Sequence, residues 1–216
     1  MTGILAIWNN RAPDSAAAYE RWYNGEHLPE RVAVPGFRSG RRYEALSAAL
    51  QYFTFYEVDS PAVLSSPAYL ARLESPTEAT RAIMPSLQMM TRTVCEVVAT
   101  AGDLTGSHAV TVRFGDPLAP GFDAGSFAAR LAARDEVARV HLWTAAAAQT
   151  PQDTREMRSR GAPDGAIGSA LMIECFRADG ARHIARSLVS DGILEQAGFD
   201  ASAPVDVYSL LCIHEN

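Results

Sequence analysis

Between Tyr19 and Tyr43 the chain reads YERWYNGEHLPERVAVPGFRSGRRY, a stretch dense in groups that move protons or hold charge. On a helical period, Tyr19, Trp22, Tyr23, Glu26 and Glu30 fall along one side, with His27 at its edge beside Tyr23. An imidazole titrates near neutrality, so His27 can act as general base or acid, removing a proton alpha to a carbonyl or from a phenol. Glu26 or Glu30 can fix its tautomer. Tyr23, Tyr43 or Tyr52 can donate to the enolate or phenolate oxygen that develops. The same residues also admit a purely architectural role. His27 and Glu26 can tie down a helix-to-turn junction by bonding the backbone or Arg31.

Other candidates lie on segments with strand-like alternation. Phe37, Ser39, Arg41 and Tyr43 share one face of such a strand, and Arg38, Arg42 and Glu44 the other. Arg41 or Arg42 can grip a carboxylate or phenolate with two parallel hydrogen bonds, or simply pair with nearby acids on a solvated face. Tyr52 alternates with core-type aromatics. His141 and Trp143 occupy the counterpart strand later in the chain and are expected to line the same cavity from the other side. Trp22, Tyr43, Arg41, Tyr52, His141 and Trp143 are thus the expected substrate-binding set, with His27, Glu26 and Tyr23 as the catalytic one. No histidines or cysteines have metal-ligand spacing, and no metal site is expected. Nucleotide-binding, zinc-protease and hydrolase-elbow motifs are missing.

The elements that must position these groups follow from periodicity. Ile4–Asn9 reads as a strand. A helix opens at Pro13–Asp14–Ser15, with Asp or Ser as its cap. Leu28 precedes a proline and is biased away from the helical region. The helix is therefore expected to end there, leaving His27 at a C-terminus whose dipole raises its pKa. Pro35–Gly36 turns the chain into a strand over 37–44, and 51–58 is the next. A helical region broken by Pro67 and Pro76 leads to a strand over 89–100. After a polar boundary the order recurs, with strands at 108–114, 137–145, 167–176 and 205–213 and helices at 123–134 and 180–197. The expectation is two βαββαβ halves, residues 1–101 and 106–216, in an α+β fold of tandem ferredoxin-like repeats. Two sheets facing each other would enclose a cavity for a small molecule.

The run W-Y-x-x-E-H-x-P-E-R, then P-G-F and R-R-Y, resembles the EthD-like branch of the dimeric α/β-barrel superfamily. Trp22, Glu26, His27, Pro29, Pro35, Gly36, Phe37 and Tyr43 carry the match, over about 25 residues of 216. The resemblance implies a barrel built from two ferredoxin-like sheets. It also implies activities ranging from cofactor-free cyclases, isomerases and monooxygenases to proteins that hold haem. The second half departs from it: FAARLAARDEVARVHLW has neither the helical histidine nor the Pro-Gly turn. One site per chain is expected, in the first half, with the second half serving mostly as wall.

The 216 residues, 48% hydrophobic and 20% charged, suffice for a substantial core. A net charge of −6 and the lack of basic clusters argue against nucleic-acid or anionic-membrane partners. All 19 basic residues are arginines, which excludes lysine Schiff-base chemistry. Cys95, Cys175 and Cys212 are too scattered for a disulfide framework, and no run is long enough to span a bilayer, so a cytoplasmic protein is expected. The expected function is a small-molecule enzyme without organic cofactor. It would use His27 for proton transfer on an aromatic, polyketide-like or lactone-type substrate, as lyase, isomerase, cyclase or cofactor-free monooxygenase. The alternatives are a haem enzyme with an axial histidine and a non-catalytic metabolite-binding protein. A homodimer is expected from pairing of barrel edges.

Overall fold

The computed structural model describes residues 1–150 and 153–216. Eight antiparallel strands close into one barrel: β1 (Gly3–Arg11), β2 (Phe37–Ser47), β3 (Tyr52–Val58), β4 (Leu87–Ala101), β5 (His108–Phe114), β6 (Val137–Ala145), β7 (Ser169–Cys175) and β8 (Val205–Glu215). Around the barrel they run β1-β3-β2-β8-β5-β7-β6-β4. The order β4-β1-β3-β2 of the first half recurs as β8-β5-β7-β6 in the second, and the halves join where β2 pairs with β8 and β4 with β6. The α+β barrel of two ferredoxin-like sheets expected from the sequence is the fold found. Closure leaves no edge strand, so the edge pairing invoked for a dimer has no strand to act on.

Helices cover the outside of the barrel. In the first half α1 (Ala16–Trp22), a wide turn (Tyr23–His27) and α2 (Leu28–Val32) form one continuous helical rod, followed later by α3 (Pro67–Glu74) and α4 (Glu78–Ile83). The second half has α5 (Ala124–Ala132), α6 (Arg155–Arg158), α7 (Ala178–Ser190) and α8 (Ile193–Gln196). The helix expected over 180–197 is two, because Gly192 takes φ +65° between α7 and α8. At the entry to α1, neither Asp14 nor Ser15 caps the helix. Pro13–Ser15 is a 3₁₀ turn, and the Ser15 hydroxyl donates back to Ala12 O at 2.7 Å.

Strand alternation assigns the two faces. On β1, Ile4, Ala6 and Trp8 point into the barrel, while Leu5 and Ile7 face the helices. The interior is filled by aromatic rings. Trp8 stacks on Phe53 at 4.8 Å, Tyr43 on Phe53 at 5.4 Å, and Trp143 lies 5.5 Å from Phe55. The space between the sheets is thus core, where a ligand cavity was expected. One register detail also differs. A bulge between Phe37 and Ser39 turns Phe37 outward against the helices, while Arg41 and Tyr43 stay inward. The second half repeats the irregularity between Val137 and Arg139, again ahead of the inward His141 and Trp143 pair.

Two glycines let the rod lie close. Gly36 holds φ +91° in the turn before β2. A Cβ on Gly40 would meet Leu28 Cδ1 at 2.6 Å and the Tyr56 ring at 2.9 Å, so α2 can rest on β2 only over glycine.

One polar cluster ties the halves together inside the barrel. Glu174 on β7 is fully buried and accepts from Arg41 Nη1 at 3.0 and 3.2 Å and from the Gly106 backbone N–H at 2.9 Å, with His141 Nε2 at 3.2 Å. Burial alone would raise its pKa. The His141 hydrogen bond, the Arg41 charge and the Gly106 N–H outweigh that and hold it below the ordinary carboxylate value. Glu174→Ala strands Arg41 as a buried unpaired cation, and is expected to lower unfolding free energy in urea by about 3–5 kcal/mol. The double change Arg41→Leu with Glu174→Leu should recover most of the loss. Equal destabilisation by single and double variants would show that the pair is not what is missing.

Candidate functional site

The proline-containing step does not end the helix. Leu28 adopts φ −64°, ψ −50°, within the helical region, and its N–H reaches back five residues to Tyr23 O. Pro29 has no N–H to offer, and the chain meets it by widening one turn into π geometry. The wide turn, Tyr23–His27, carries the imidazole inward rather than leaving it at a terminus.

His27 is only 6% exposed, with the Trp22 ring tilted over it at 4.3 Å and the Tyr23 ring edge-on at 5.1 Å. Its Nδ1 has no hydrogen-bond partner. The expected dipole effect loses here. Burial, then the positive charges of Arg31, Arg160, Arg42 and Arg92, push its pKa well below 6.5. His27 is therefore neutral at pH 7. Glu26 does not set its tautomer, because its carboxylate accepts from the hydroxyls of Thr77 and Thr80 at the start of α4. Thr80 also accepts from Trp22 Nε1 at 3.0 Å, so Glu26 and Trp22 together fasten α4 over the rod.

The space beside His27 lies between the helices and the outer face of β1, β3 and β4. It is narrow, about 20 Å³, and Trp22, Tyr23, Tyr56, Arg31 and Arg92 are among its walls. The Tyr56 hydroxyl is buried and unpartnered, and burial raises its pKa well above 10. Tyr23 is raised too, first by burial. Both phenols remain hydrogen-bond donors throughout the neutral range.

The second half is more than wall. The connection between β6 and β7 crosses to the first half, where Gly165 exchanges backbone hydrogen bonds with Met90 and Arg92 on β4. It delivers Glu156 and Arg160 to the cavity. Glu156 forms a close ion pair with Arg31, while Arg160 is held by Asp164 at 2.6 and 3.0 Å. Arg31, Arg160 and Glu156 are each 7% exposed or less.

The structure separates the residues expected to act together. Trp22, Tyr23 and His27 share the cavity, and Glu26 braces it. Arg41, Tyr43, His141 and Trp143 lie on the opposite face of the sheet, in the barrel, because they occupy inward strand positions. Arg41 and His141 border a different pocket of about 110 Å³ at the barrel mouth. Tyr52 faces the helices but not the cavity; its ring packs 4.8 Å from Tyr19 and its hydroxyl accepts from Arg11 Nε at 3.2 Å. Arg42 is engaged as well. Glu20 grips it at 2.7 Å through both oxygens, and the rings of Tyr23, Tyr19 and Tyr52 lie 4.5–5.0 Å from it. Tyr56, Arg92, Glu156 and Arg160 were absent from the expected site. Arg92 carried a faint signal, as a lone cation inside an otherwise uncharged strand run, MMTRTVC. Glu156 and Arg160 carried none, since 125 residues separate Glu156 from Arg31.

Haem, which the resemblance allows, was tested against these residues. Arg31 and Arg160 are engaged by carboxylates, which leaves Arg92 as the single unpaired cation of the lining where two propionates would need partners. Nor does the Nδ1 side of His27 have the carboxylate or carbonyl partner that orients a metal-binding imidazole. Around His27 the residues supply neither an oriented imidazole nor two free cations, and so do not fit haem at that position.

No family model matches the chain, and no curated protein matches it. Solved structures do. An anthrone oxidase-like protein superposes with a TM-score of 0.65 at 12% identity, over 99% of this chain and 92% of the other. A proposed monooxygenase from Fusobacterium nucleatum gives 0.59 at 10% identity, over 100% and 95%. A chlorite dismutase variant from Candidatus Nitrospira defluvii gives 0.52 at 8% identity, over 96% and 91%. Among the described residues no helix is long and apolar enough to cross a membrane. The chain has the fold of the dimeric α/β-barrel superfamily, with both ferredoxin-like sheets supplied by one polypeptide.

Proposed function

We propose that this protein catalyses proton transfer on an aromatic carbon or phenol acid, with His27 as the base and no organic cofactor. The observation that carries the reading is a buried imidazole, kept neutral by its surroundings, facing a cavity walled by three phenols and unpartnered donors. A base needs its free electron pair at working pH, and His27 has it. In the proposed step the imidazole takes the proton from the substrate C–H or O–H. The bonding pair passes to the carbonyl or phenol oxygen, and Tyr23 or Tyr56 donates a hydrogen bond to the enolate or phenolate formed. The low pKa that keeps His27 neutral also makes it a weak base. The substrate must therefore be a strong carbon acid, its anion spread over a ring system. An anthrone, the compound type in one neighbour's name, is an aromatic ketone of that kind, and only its reacting edge would enter the space of about 20 Å³ beside His27.

Isomerisation, cyclisation, elimination and reaction of the carbanion with oxygen can all begin from such an anion, and the reading stops at the shared first step. A non-catalytic metabolite-binding role uses the same cavity and predicts binding without exchange. The three free cysteines accord with a cytoplasmic setting, and a homodimer, if formed, must use a surface other than a strand edge.

Exchange of the acidic C–H protons of 2-tetralone or anthrone in deuterated buffer under argon, followed by proton NMR, tests the step. The chain should accelerate exchange over buffer, and His27→Gln should remove about 10²–10⁴-fold of that acceleration. Unchanged exchange in His27→Gln, with native circular dichroism, rules out this base.

The pH dependence has a definite sign. A lowered pKa in the folded state means the unfolded chain binds the proton first, so stability is complete above about 6.5 and falls as pH drops below it. Urea midpoints at pH 7.5 and 5.5 should differ for the wild type, and His27→Gln should reduce the difference. The acid limb of kcat/KM should likewise lie well below 6.5. A limb above 6.5 would mean that His27 is not the titrating group.

A further inference from the structure

Of the arginines around the cavity, Arg92 alone lacks an anion. Arg31 is paired with Glu156 and Arg160 with Asp164, whereas among the described residues no carboxylate lies within ion-pair distance of Arg92. It is 6% exposed, and Nη2 donates to the Tyr69 hydroxyl at 2.8 Å while Nη1 is buried with no partner. A buried guanidinium with an idle N–H and no counter-charge bears a desolvation cost that its own neighbours do not offset.

Its position suggests what offsets it. Arg92 borders both the narrow His27 cavity and an open cleft of about 550 Å³ lined by Met157 and Gly161–Ala166. Its side chain is the lining the two spaces share. The charged and titratable groups around it are Tyr69 from α3, Tyr56 from β3, Tyr23, His27 and Arg31 from the helical rod, and Asp153, Glu156, Arg158, Arg160 and Asp164 from the β6–β7 connection. Their fixed charges sum to three arginines against three carboxylates, so Arg92 is the excess. The idle Nη1 and its apolar approaches fit a planar oxyanion borne on a ring.

We propose that Arg92 anchors the oxyanion of an aromatic ligand, a carboxylate or an ionised phenol, that enters from the open cleft and presents its reacting end to His27. The inference builds on the reading of His27 as base, yet its binding test is separate. Isothermal titration of the full chain with 2-naphthoate, with 4-nitrophenol and with neutral 2-naphthylmethanol distinguishes the sources of charge. Naphthoate is expected to bind about tenfold or more tightly than the alcohol. Its affinity should stay flat from about pH 6.5 to 9, because the guanidinium stays charged throughout. Affinity for 4-nitrophenol should rise as that phenol ionises.

Arg92→Met should erase the preference for the anion, and Arg92→Lys should keep part of it, retaining charge without the fork. His27→Gln should keep the preference for naphthoate over the alcohol, since that preference comes from the ion pair at Arg92. Equal affinity for acid and alcohol, no measurable binding of either anion, or a preference that survives Arg92→Met would overturn the assignment. If the preference is present while deuterium exchange ignores His27, the base reading fails and the anchor stands. If exchange needs His27 but the preference is missing, the anchor fails alone.

Discussion

Closure of the barrel around aromatic side chains is the constraint from which the placement of the site follows. Eight antiparallel strands leave an interior that Trp8, Tyr43, Phe53, Phe55, Trp143 and Tyr208 fill. Interiors packed this densely hold few voids larger than a water molecule. Apart from the pocket of about 110 Å³ at the barrel mouth, ligand space then lies outside the barrel, under the helices. Strand alternation delivers separate residue sets to the two sides of one sheet. On β3, Phe53 and Phe55 build the core, and Tyr56 two positions on from Thr54 walls the cavity.

The two helix-covered faces have diverged in chemistry although their strand orders match. In the second half Phe114, Phe122, Phe127 and Phe199 stack at 4.4–5.6 Å beneath α5 and α8, and aliphatic side chains fill what remains. In the first half the same region holds His27, three phenols and buried arginines. That polarity is tolerable only because the second half returns two carboxylates to it. Breaking the Arg31–Glu156 pair would leave a fixed charge in a dry space, a cost of several kcal/mol in comparable sites. The β6–β7 connection is thus coupled electrostatically to a cavity on the other half.

Much of the fold was legible in the residues because the signals were local. Alternation in YFTFYEV and the Pro-Gly step before Phe37 mark β3 and the entry to β2, and both were found where expected. The inward face of β2 was legible only from Ser39 onward, since a bulge that shifts Phe37 has no one-residue signature. The site was half legible. Trp22, Tyr23 and His27 meet because helical spacing brings them together. Arg41, Tyr43, His141 and Trp143 are chemically apt but face the other way, and face is decided by which side of a sheet becomes core. The arginines were the hardest to assign. Their types are identical, and only the position of a carboxylate up to 133 residues away separates a tie such as Arg41 from an unpaired cation such as Arg92.

The wide turn at Tyr23–His27 links the local and the global arguments. A regular helix with Pro29 in it would lose one hydrogen bond and kink away from the proline ring. Widening to π geometry instead keeps the Leu28 N–H bonded to Tyr23 O and lets the rod run on into α2. Gly40 then allows Leu28 to touch β2, which sets the depth at which the preceding residue enters the sheet–helix space. His27 owes its burial to that depth, and its neutral state to burial reinforced by Arg31 in the very next turn. One covalent fact, a proline without an N–H, thereby fixes where an imidazole sits, and through its surroundings, which protonation state it carries at neutral pH.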